Sequence, residues 1–210
     1  MDTLIAAAIH DAKNGLNALN TWLAAAQREH PSAPLTEAQA VAARVGAQLV
    51  ELLALYRAGE GSLRLAVDDQ DLIDFCADVC AEFVLPANST LRLETGFSAA
   101  NEIGAWAFDA YQVRLVLLDA LRNAARHAAS VLRFSLEQTA DGLCFTVADD
   151  GPGFPAEVLQ GAETAMDSGS SGLGLRFARL IAQRHATPNG RHGRIELAND
   201  GGAQFRLYLP

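Results

Sequence analysis

Two groups of residues in this chain have the types and spacing for chemistry. Far along the sequence, Val147-Ala148-Asp149-Asp150-Gly151-Pro152-Gly153 is followed by Gly169-Ser170-Ser171-Gly172-Leu173-Gly174-Leu175, and an Asn lies upstream within Leu118–His127. Glycines at such spacing let backbone N–H groups approach phosphates with no Cβ in the way. Asp149 can accept from an exocyclic amine, and the amide oxygen of Asn123 can hold a hard cation such as Mg²⁺. Where Gly172–Leu175 opens a helix, the dipole and the free N–H groups of the first turn favour phosphate. Together these residues describe a nucleotide pocket. The Gly/Lys spacing fits neither the dinucleotide fingerprint nor the P-loop.

The second group, Ile9-His10-Asp11-Ala12-Lys13-Asn14-Gly15-Leu16, offers a destination for phosphate. A neutral imidazole can attack a γ-phosphate, and an adjacent carboxylate can accept or orient its proton. Asn14 lies one turn on, on the same face, where it could position a water to hydrolyse a partner's acyl phosphate. A lone His on a helix is ordinarily a plain exposed residue. His10 stands beside the apolar position Ile9 and before an acid, so its ring is expected to emerge at the helix surface.

These residues need elements to position them. Ile5, Ile9, Ala12, Leu16, Leu19, Leu23 and Ala26 recur at alternating spacings of three and four, which predicts one helix over residues 3–29 with a coiled-coil seam. His30–Pro34 breaks it. A second helix follows from Thr36, which with Gln39 reads as a capping box, and stops near Gly59-Glu60-Gly61. Its apolar set is Ala38, Val41, Val45, Leu49, Leu52 and Tyr56. A hairpin cannot bury a seam on both members by itself, whereas dimerising into a four-helix bundle would do so. Beyond Gly61 the pattern is mixed: strands over 62–67, 91–95 and 103–108, helices over 71–85, 110–129 and 173–185, a hairpin over 131–147 around Asp141-Gly142, and closing strands over 194–198 and 204–209. The expected fold class is α+β: a helical hairpin forming a dimeric bundle, then an α/β sandwich with helices on one face of a mixed sheet. The domains are read as 1–58, a linker at 59–61, and 62–210.

Composition narrows the partners. The formal net charge over 210 residues is −9, with 4 basic and 5 acidic residues up to Ala58 and 12 basic and 20 acidic beyond it. Neither part offers a basic stripe, so nucleic acid is not an expected partner. No uninterrupted apolar run reaches the roughly 18 residues of a membrane span, and Met1-Asp2-Thr3 lacks the basic lead of a signal peptide. Cys76, Cys80 and Cys144 suit a reducing compartment. Cys76 and Cys80 share a helix face, but no companion metal ligands lie near, and buried structural thiols are expected. A cytoplasmic protein with no membrane contact follows as the expectation. His30, His185 and His192 are read as surface residues, and Trp22 and Trp106 as core or interface residues.

In order and spacing, the boxes resemble those of the ATP-binding domain of sensor histidine kinases, in the gyrase/Hsp90/histidine-kinase/MutL superfamily. Leu118–His127 resembles the family's N box, Asp149–Gly153 its first glycine box and Gly169–Leu175 its second. The closing sequence is similar in Gly193–Leu197 and Gly201–Pro210, and the likeness covers residues 61–210. Ile9–Leu16 resembles the H box of dimerisation and histidine-phosphotransfer domains. The resemblance implies a Bergerat-type domain using ATP and Mg²⁺, with Asn123 as the metal ligand, Asp149 on the adenine amine, and Gly151 and Gly153 shaping the base side. Gly172, Gly174 and Leu175 would approach the phosphates, with Arg126 and His127 beside them. It also implies His10 as phosphoacceptor assisted by Asp11 and Asn14, a homodimer through the hairpin, a response-regulator receiver domain as partner, and a separate sensor or upstream module as the signal source.

Three departures bear on activity. Asp119 stands where many histidine kinases have the first Asn of the N box, although a carboxylate can still ligate Mg²⁺. Residues 154–168 hold no Phe-rich box, which leaves a short lid, and Ser170 replaces a frequent glycine. Thr187–Arg191 lengthens the last connection. Two other readings keep the architecture: a histidine phosphotransferase relaying phosphate between regulators without ATP, and a non-catalytic dimeric docking scaffold.

Overall fold

The computed structural model describes the backbone of residues 2–85, 89–161 and 172–210, and the side chains in those ranges from residue 11 onward except Lys13. The chain divides into two compact units, Met1–Leu63 and Arg64–Pro210.

The first unit is a pair of long helices, α1 (Asp2–Glu29) and α2 (Ala33–Gly59), packed side by side. Alanine and leucine dominate both and favour helix. Helix α2 begins three residues before the expected Thr36. Ser32 is its extended N-cap and Pro34 sits in its first turn, where a missing N–H costs nothing. Thr36 therefore lies inside the helix, not at its cap: its hydroxyl donates to the Ser32 carbonyl at 3.2 Å and accepts from Gln27 Nε2 at 2.9 Å. Gln27 Oε1 accepts from the Ser32 N–H, so one side chain spans the turn. The apolar seam is only half covered within the hairpin: Ala42 and Ala54 are buried, but Leu19, Trp22, Val41, Val45 and Leu52 are exposed. Leu16, Leu19, Leu23, Ala38, Val41 and Val45 line an open apolar groove. By length and composition α2 is the one described helix apolar enough to cross a membrane, although Arg44 and Glu51 interrupt it.

The second unit runs β1 (Asp68–Asp71), α3 (Leu72–Glu82), β2 (Arg92–Gly96), α4 (Ser98–Ile103), β3 (Ala105–Phe108), α5 (Ala110–His127), β4 (Val131–Thr139), β5 (Gly142–Asp149), α6 (Ala156–Leu159), α7 (Leu173–Arg184), β6 (Arg194–Asn199) and β7 (Ala203–Leu209). Five strands form a mixed sheet in the order β2-β4-β5-β7-β6, with β2 parallel to β4 and the other pairs antiparallel. Strands β1 and β3 make a separate antiparallel pair. Strand alternation gives the sheet two faces. One carries Leu132, Phe134, Leu136, Phe145, Val147 and Leu207, all buried, and α4, α5 and α7 contact these strands. The other bears charge, as in the cross-strand pairs Glu94–Arg133 and Glu196–Arg206. Phe75, Phe108, Phe134 and Phe145 make edge-on and stacked contacts at 4.8–6.4 Å that join α3 and β3 to the sheet.

The alternating stretch 62–67 forms no strand; the ladder starts at Asp68. The Ala66 N–H instead donates to Asp109 Oδ2 at 2.8 Å, a side-chain acceptor 43 residues away that periodicity does not reveal. Helix α4, six residues long, gives no periodic signal in the sequence; it takes in Ile103, so the strand expected over 103–108 runs from Ala105 to Phe108.

Candidate functional site

Helix α5 carries the central residues. Asp109 caps it, accepting from the Gln112 N–H at 3.0 Å, and Val113, Val116, Leu117, Leu121 and Ala124 bury one face. Asp119, Asn123 and Arg126 are spaced at i, i+4 and i+7 and so share a second face. Asn123 is half-buried, whereas Arg126 and His127 are exposed. Burial raises the Asp119 carboxyl above the usual carboxylate range, and the Arg122 and Arg126 charges oppose that shift.

The first turn of α7 lies directly on this face. A Cβ added to Gly174 would run into the Asp119 carboxylate. Only glycine permits that approach. Gly172, in the left-handed conformation with φ 67°, is the N-cap of α7 and has no side chain to cap the first-turn N–H groups. Leu173, Gly174 and Leu175 form the first turn, half-buried. Gly169–Ser171 and residues 162–168 of the expected lid lie outside the described residues; α6 occupies part of the preceding segment.

The end of β5 supplies the third component. Asp149 is buried, and its Oδ1 accepts from the Gly151 N–H at 2.8 Å and the Ala203 N–H at 3.3 Å. Gly151 abuts the His127 carbonyl at the end of α5. The segment Asp149–Gly153 is thus seated on the end of α5, and the structure brings the N box, the first glycine box and Gly172–Leu175 of the second to α5 and the start of α7.

Three side chains that sequence reading missed hold this arrangement. Asp150 Oδ1 accepts from the N–H groups of Ala129, Ser130 and Val131 at 2.9, 2.9 and 3.1 Å, and Ser130 Oγ donates to Oδ2. The Ser130 hydroxyl, followed by these backbone donors, holds the Asp150 carboxyl far below the usual carboxylate range. Asn199 bonds to the backbone of Phe154. His185 is buried, not a surface residue: Nε2 accepts from the Asp109 N–H at 3.0 Å and Nδ1 donates to the Ile181 carbonyl at 2.8 Å. It joins the end of α7 to the cap of α5, and burial lowers its pKa against the opposing effects of the Ile181 carbonyl and Asp109. His185 and Asp109 are separated by 76 residues, so no local signal could pair them. His30 and His192 are exposed as expected, and Trp106 is half-buried.

In the hairpin, the backbone places His10 in α1, with its side chain outside the described residues. Asp11 and Asn14 are exposed on the same helix, three residues apart and so on one face. The cysteines are free; Cys76 and Cys144 are buried and Cys80 half-buried. Burial, and then Cys80, pushes the Cys76 thiol up to about 12. Among the described residues no cluster of three or more His, Cys, Asp or Glu forms a metal site.

Residues 108–210 match the family described as histidine kinase-, DNA gyrase B-, and HSP90-like ATPase. The chain is 32% identical over 172 residues to the signal transduction histidine-protein kinase AfsQ2 of Streptomyces coelicolor, across 77% of this chain and 30% of that protein. It is 26% identical over 167 residues to the alginate biosynthesis sensor protein KinB of Pseudomonas aeruginosa, across 76% of this chain and 27% of that one. The chain thus spans under a third of the length of these curated relatives. Among solved structures, Acinetobacter baumannii histidine kinase AdeS aligns with a TM-score of 0.62 at 20% identity, over 91% of this chain and 93% of that one. Full-length ShkA in complex with AMPPNP aligns at 0.66 and 17% identity, over 99% of this chain and 45% of the other. At these identities the structures speak for the fold. Over residues 108–210 the second unit is thus similar to the histidine kinase-, DNA gyrase B- and HSP90-like ATPase family, and its fold is that of the histidine kinase structures it aligns with.

Proposed function

We propose that this chain is the core of a two-component histidine kinase that phosphorylates itself on His10 and passes the phosphoryl group to an aspartate of a response regulator. The observation that carries the reading is the close approach of Gly174 to Asp119, which sets the glycine-opened start of α7 against the helix bearing Asn123. Asp149, held by two backbone N–H groups, precedes the glycine segment seated on the end of the same helix.

The residues fit ATP with Mg²⁺. The first turn of α7 packs Gly174 against Asp119 and opens at Gly172 with backbone N–H groups of the kind suited to phosphate. Bound there, ATP supplies the γ-phosphoryl group. Asp149 accepts from the adenine amine, and Gly151 and Gly153 keep the base side open. Asn123, seconded by Asp119, holds the metal through hard oxygen donors. Arg126 and His127 lie on the exposed end of α5 and compensate phosphate charge. On α1, the His10 imidazole attacks the γ-phosphorus and takes the phosphoryl group as ADP leaves, Asp11 takes or orients the ring proton, and Asn14 orients a water that hydrolyses the regulator's acyl phosphate. Transfer of this kind depends on positioning and charge neutralisation.

The exposed apolar groove of the hairpin supports a homodimer, because a second hairpin laid on Leu16, Leu19, Val41 and Val45 would complete a four-helix bundle. The receiver domain of a regulator would dock beside His10, and a sensor module would deliver the signal. Three free thiols and a need for ATP accord with a cytoplasmic location.

The test is incubation with γ-labelled ATP and Mg²⁺, wild type beside His10→Ala and Asn123→Ala. Acid-labile label on the wild type and on neither variant is expected. An unlabelled wild type that still accepts phosphate from a phosphorylated regulator would replace the kinase with a relay, and no label by either route would leave a docking scaffold.

A further inference from the structure

The turn between β6 and β7 holds both ends of the first glycine box. At the near end, the Ala203 N–H donates to Asp149 Oδ1 at 3.3 Å. At the far end, Asn199 Oδ1 accepts from the Phe154 N–H at 2.7 Å, and Asn199 Nδ2 donates to the Phe154 carbonyl at 3.0 Å. One side-chain amide therefore satisfies both backbone groups of one residue, as a rung of an antiparallel ladder does. The backbone of Asn199 remains in register with Ala203, so the amide is carried on the sheet itself. The segment it holds has no regular structure of its own: Gly153 sits at φ 85°, and a Cβ there would fall 2.6–2.8 Å from the Asn199 amide atoms.

We infer that Asn199 is the positioning residue for the base side of the nucleotide site, a latch that fixes Gly153 and Phe154 before nucleotide arrives. The inference rests on the nucleotide-binding reading above and adds a residue that lies outside all three boxes. Its consequence is entropic. A segment already fixed does not have to be ordered on binding, so nucleotide meets a preorganised wall. Without the latch, the ordering cost falls on every ligand that uses the base side, and ADP and ATP share that side. The start of α7, which faces the phosphates, is untouched by the change.

The experiment measures dissociation constants for ADP and for a non-hydrolysable ATP analogue, with Mg²⁺, well below the melting temperature, in wild type, Asn199→Ala and Asn199→Asp. Two exposed hydrogen bonds predict about 5- to 10-fold weaker binding in Asn199→Ala, equal for the two nucleotides. Asn199→Asp keeps the acceptor for the Phe154 N–H and loses the donor, so a smaller weakening is expected. A lower melting temperature with unchanged dissociation constants would overturn the latch and leave Asn199 a structural residue. So would weakening confined to the ATP analogue. A wild type that binds neither nucleotide would overturn the parent reading and the latch with it. Amide exchange on the wild type needs no variant to fold: the Phe154 N–H should be protected without nucleotide, and exchange as fast as in an open loop would overturn the preorganisation.

Discussion

The hairpin and the ATPase unit solve the problem of burial differently. The ATPase unit closes on itself: Phe108, Phe134, Phe145, Phe177, Leu117 and Leu207 are fully or almost fully buried between helices and sheet, and its polar groups are joined across long sequence distances. The hairpin leaves Leu19, Val41 and Val45 exposed along a groove, and Leu52 exposed beyond it. The contrast accords with the two jobs proposed above. A nucleotide site needs fixed walls, because a misplaced glycine turn removes the phosphate cradle. A phosphoacceptor needs an exposed side chain on a rigid rod, and a rod two helices wide is left unfinished until something covers its seam.

Several measurements would break or sharpen that contrast. The largest expected effect is from His10→Gln, which should abolish phosphate incorporation while ADP binding, measured by titration, stays within about twofold of wild type, the resolution of an ordinary affinity comparison. A joint loss would mean that the units do not divide the work. Next is Gly174→Ala. Its Cβ would run into the Asp119 carboxylate, and overpacking of this kind costs about 1–3 kcal/mol of stability, read in denaturant titrations beside a weakened nucleotide affinity. Asp119→Ala in the same chain should restore part of the loss; failure to do so would separate the two residues.

Val45→Glu addresses the hairpin. A large apolar side chain contributes about 1.5–3 kcal/mol when fully buried, so the dimer dissociation constant seen in ultracentrifugation should rise at least about tenfold, with ADP binding unchanged. An unaffected oligomer would place the contact elsewhere.

The smallest effects concern pH and the ATPase unit alone. His185 has a lowered pKa in the folded state, so the unfolded chain binds the proton more readily. Stability should be unaffected above the unfolded pKa of about 6.5. It should fall as pH drops below that value, by at most about 1.4 kcal/mol per pH unit for one proton. His185→Gln should flatten this limb in denaturant titrations. Asp150 acts in more acid solution. Its folded pKa is depressed, so its contribution is present above the unfolded carboxyl pKa of about 3.9 and is lost as pH falls through the folded value. Asp150→Asn should show a shallower loss below about pH 4; an identical acid limb would mean that the Ser130 bonds do not persist in solution.

Much of the candidate nucleotide site is legible in the sequence because the chemistry proposed for it is local. Asp149, Gly151 and Gly153 sit within five residues, and Asn123 falls one turn from Asp119 on a strongly amphipathic helix. The long apolar patterns also located α1, α2, α5 and the strands of the main sheet. The errors fall where a distant partner decides. Residues 62–67 alternate, yet the Ala66 N–H is taken by a side chain 43 residues on, and no strand forms. Thr36 has the composition of a cap, yet Pro34 already stands in the first turn. His185 looked like a surface residue because nothing nearby in sequence announces Asp109.

By itself the sequence determined which residues have the chemistry and in what order: an imidazole beside an acid, an Asn on a helix, an Asp before two glycines, and a glycine-opened helix. Residue type and short spacing fix these through backbone geometry and donor–acceptor character, which are local properties. The tertiary structure alone decided that Gly174 must touch Asp119, that Asp150 and Asn199 hold the glycine segment from two sides, and that His185 ties α7 to the cap of α5. Each of these joins groups at least 19 residues apart in the chain, and only the folding of the sheet and its helices brings such groups into contact.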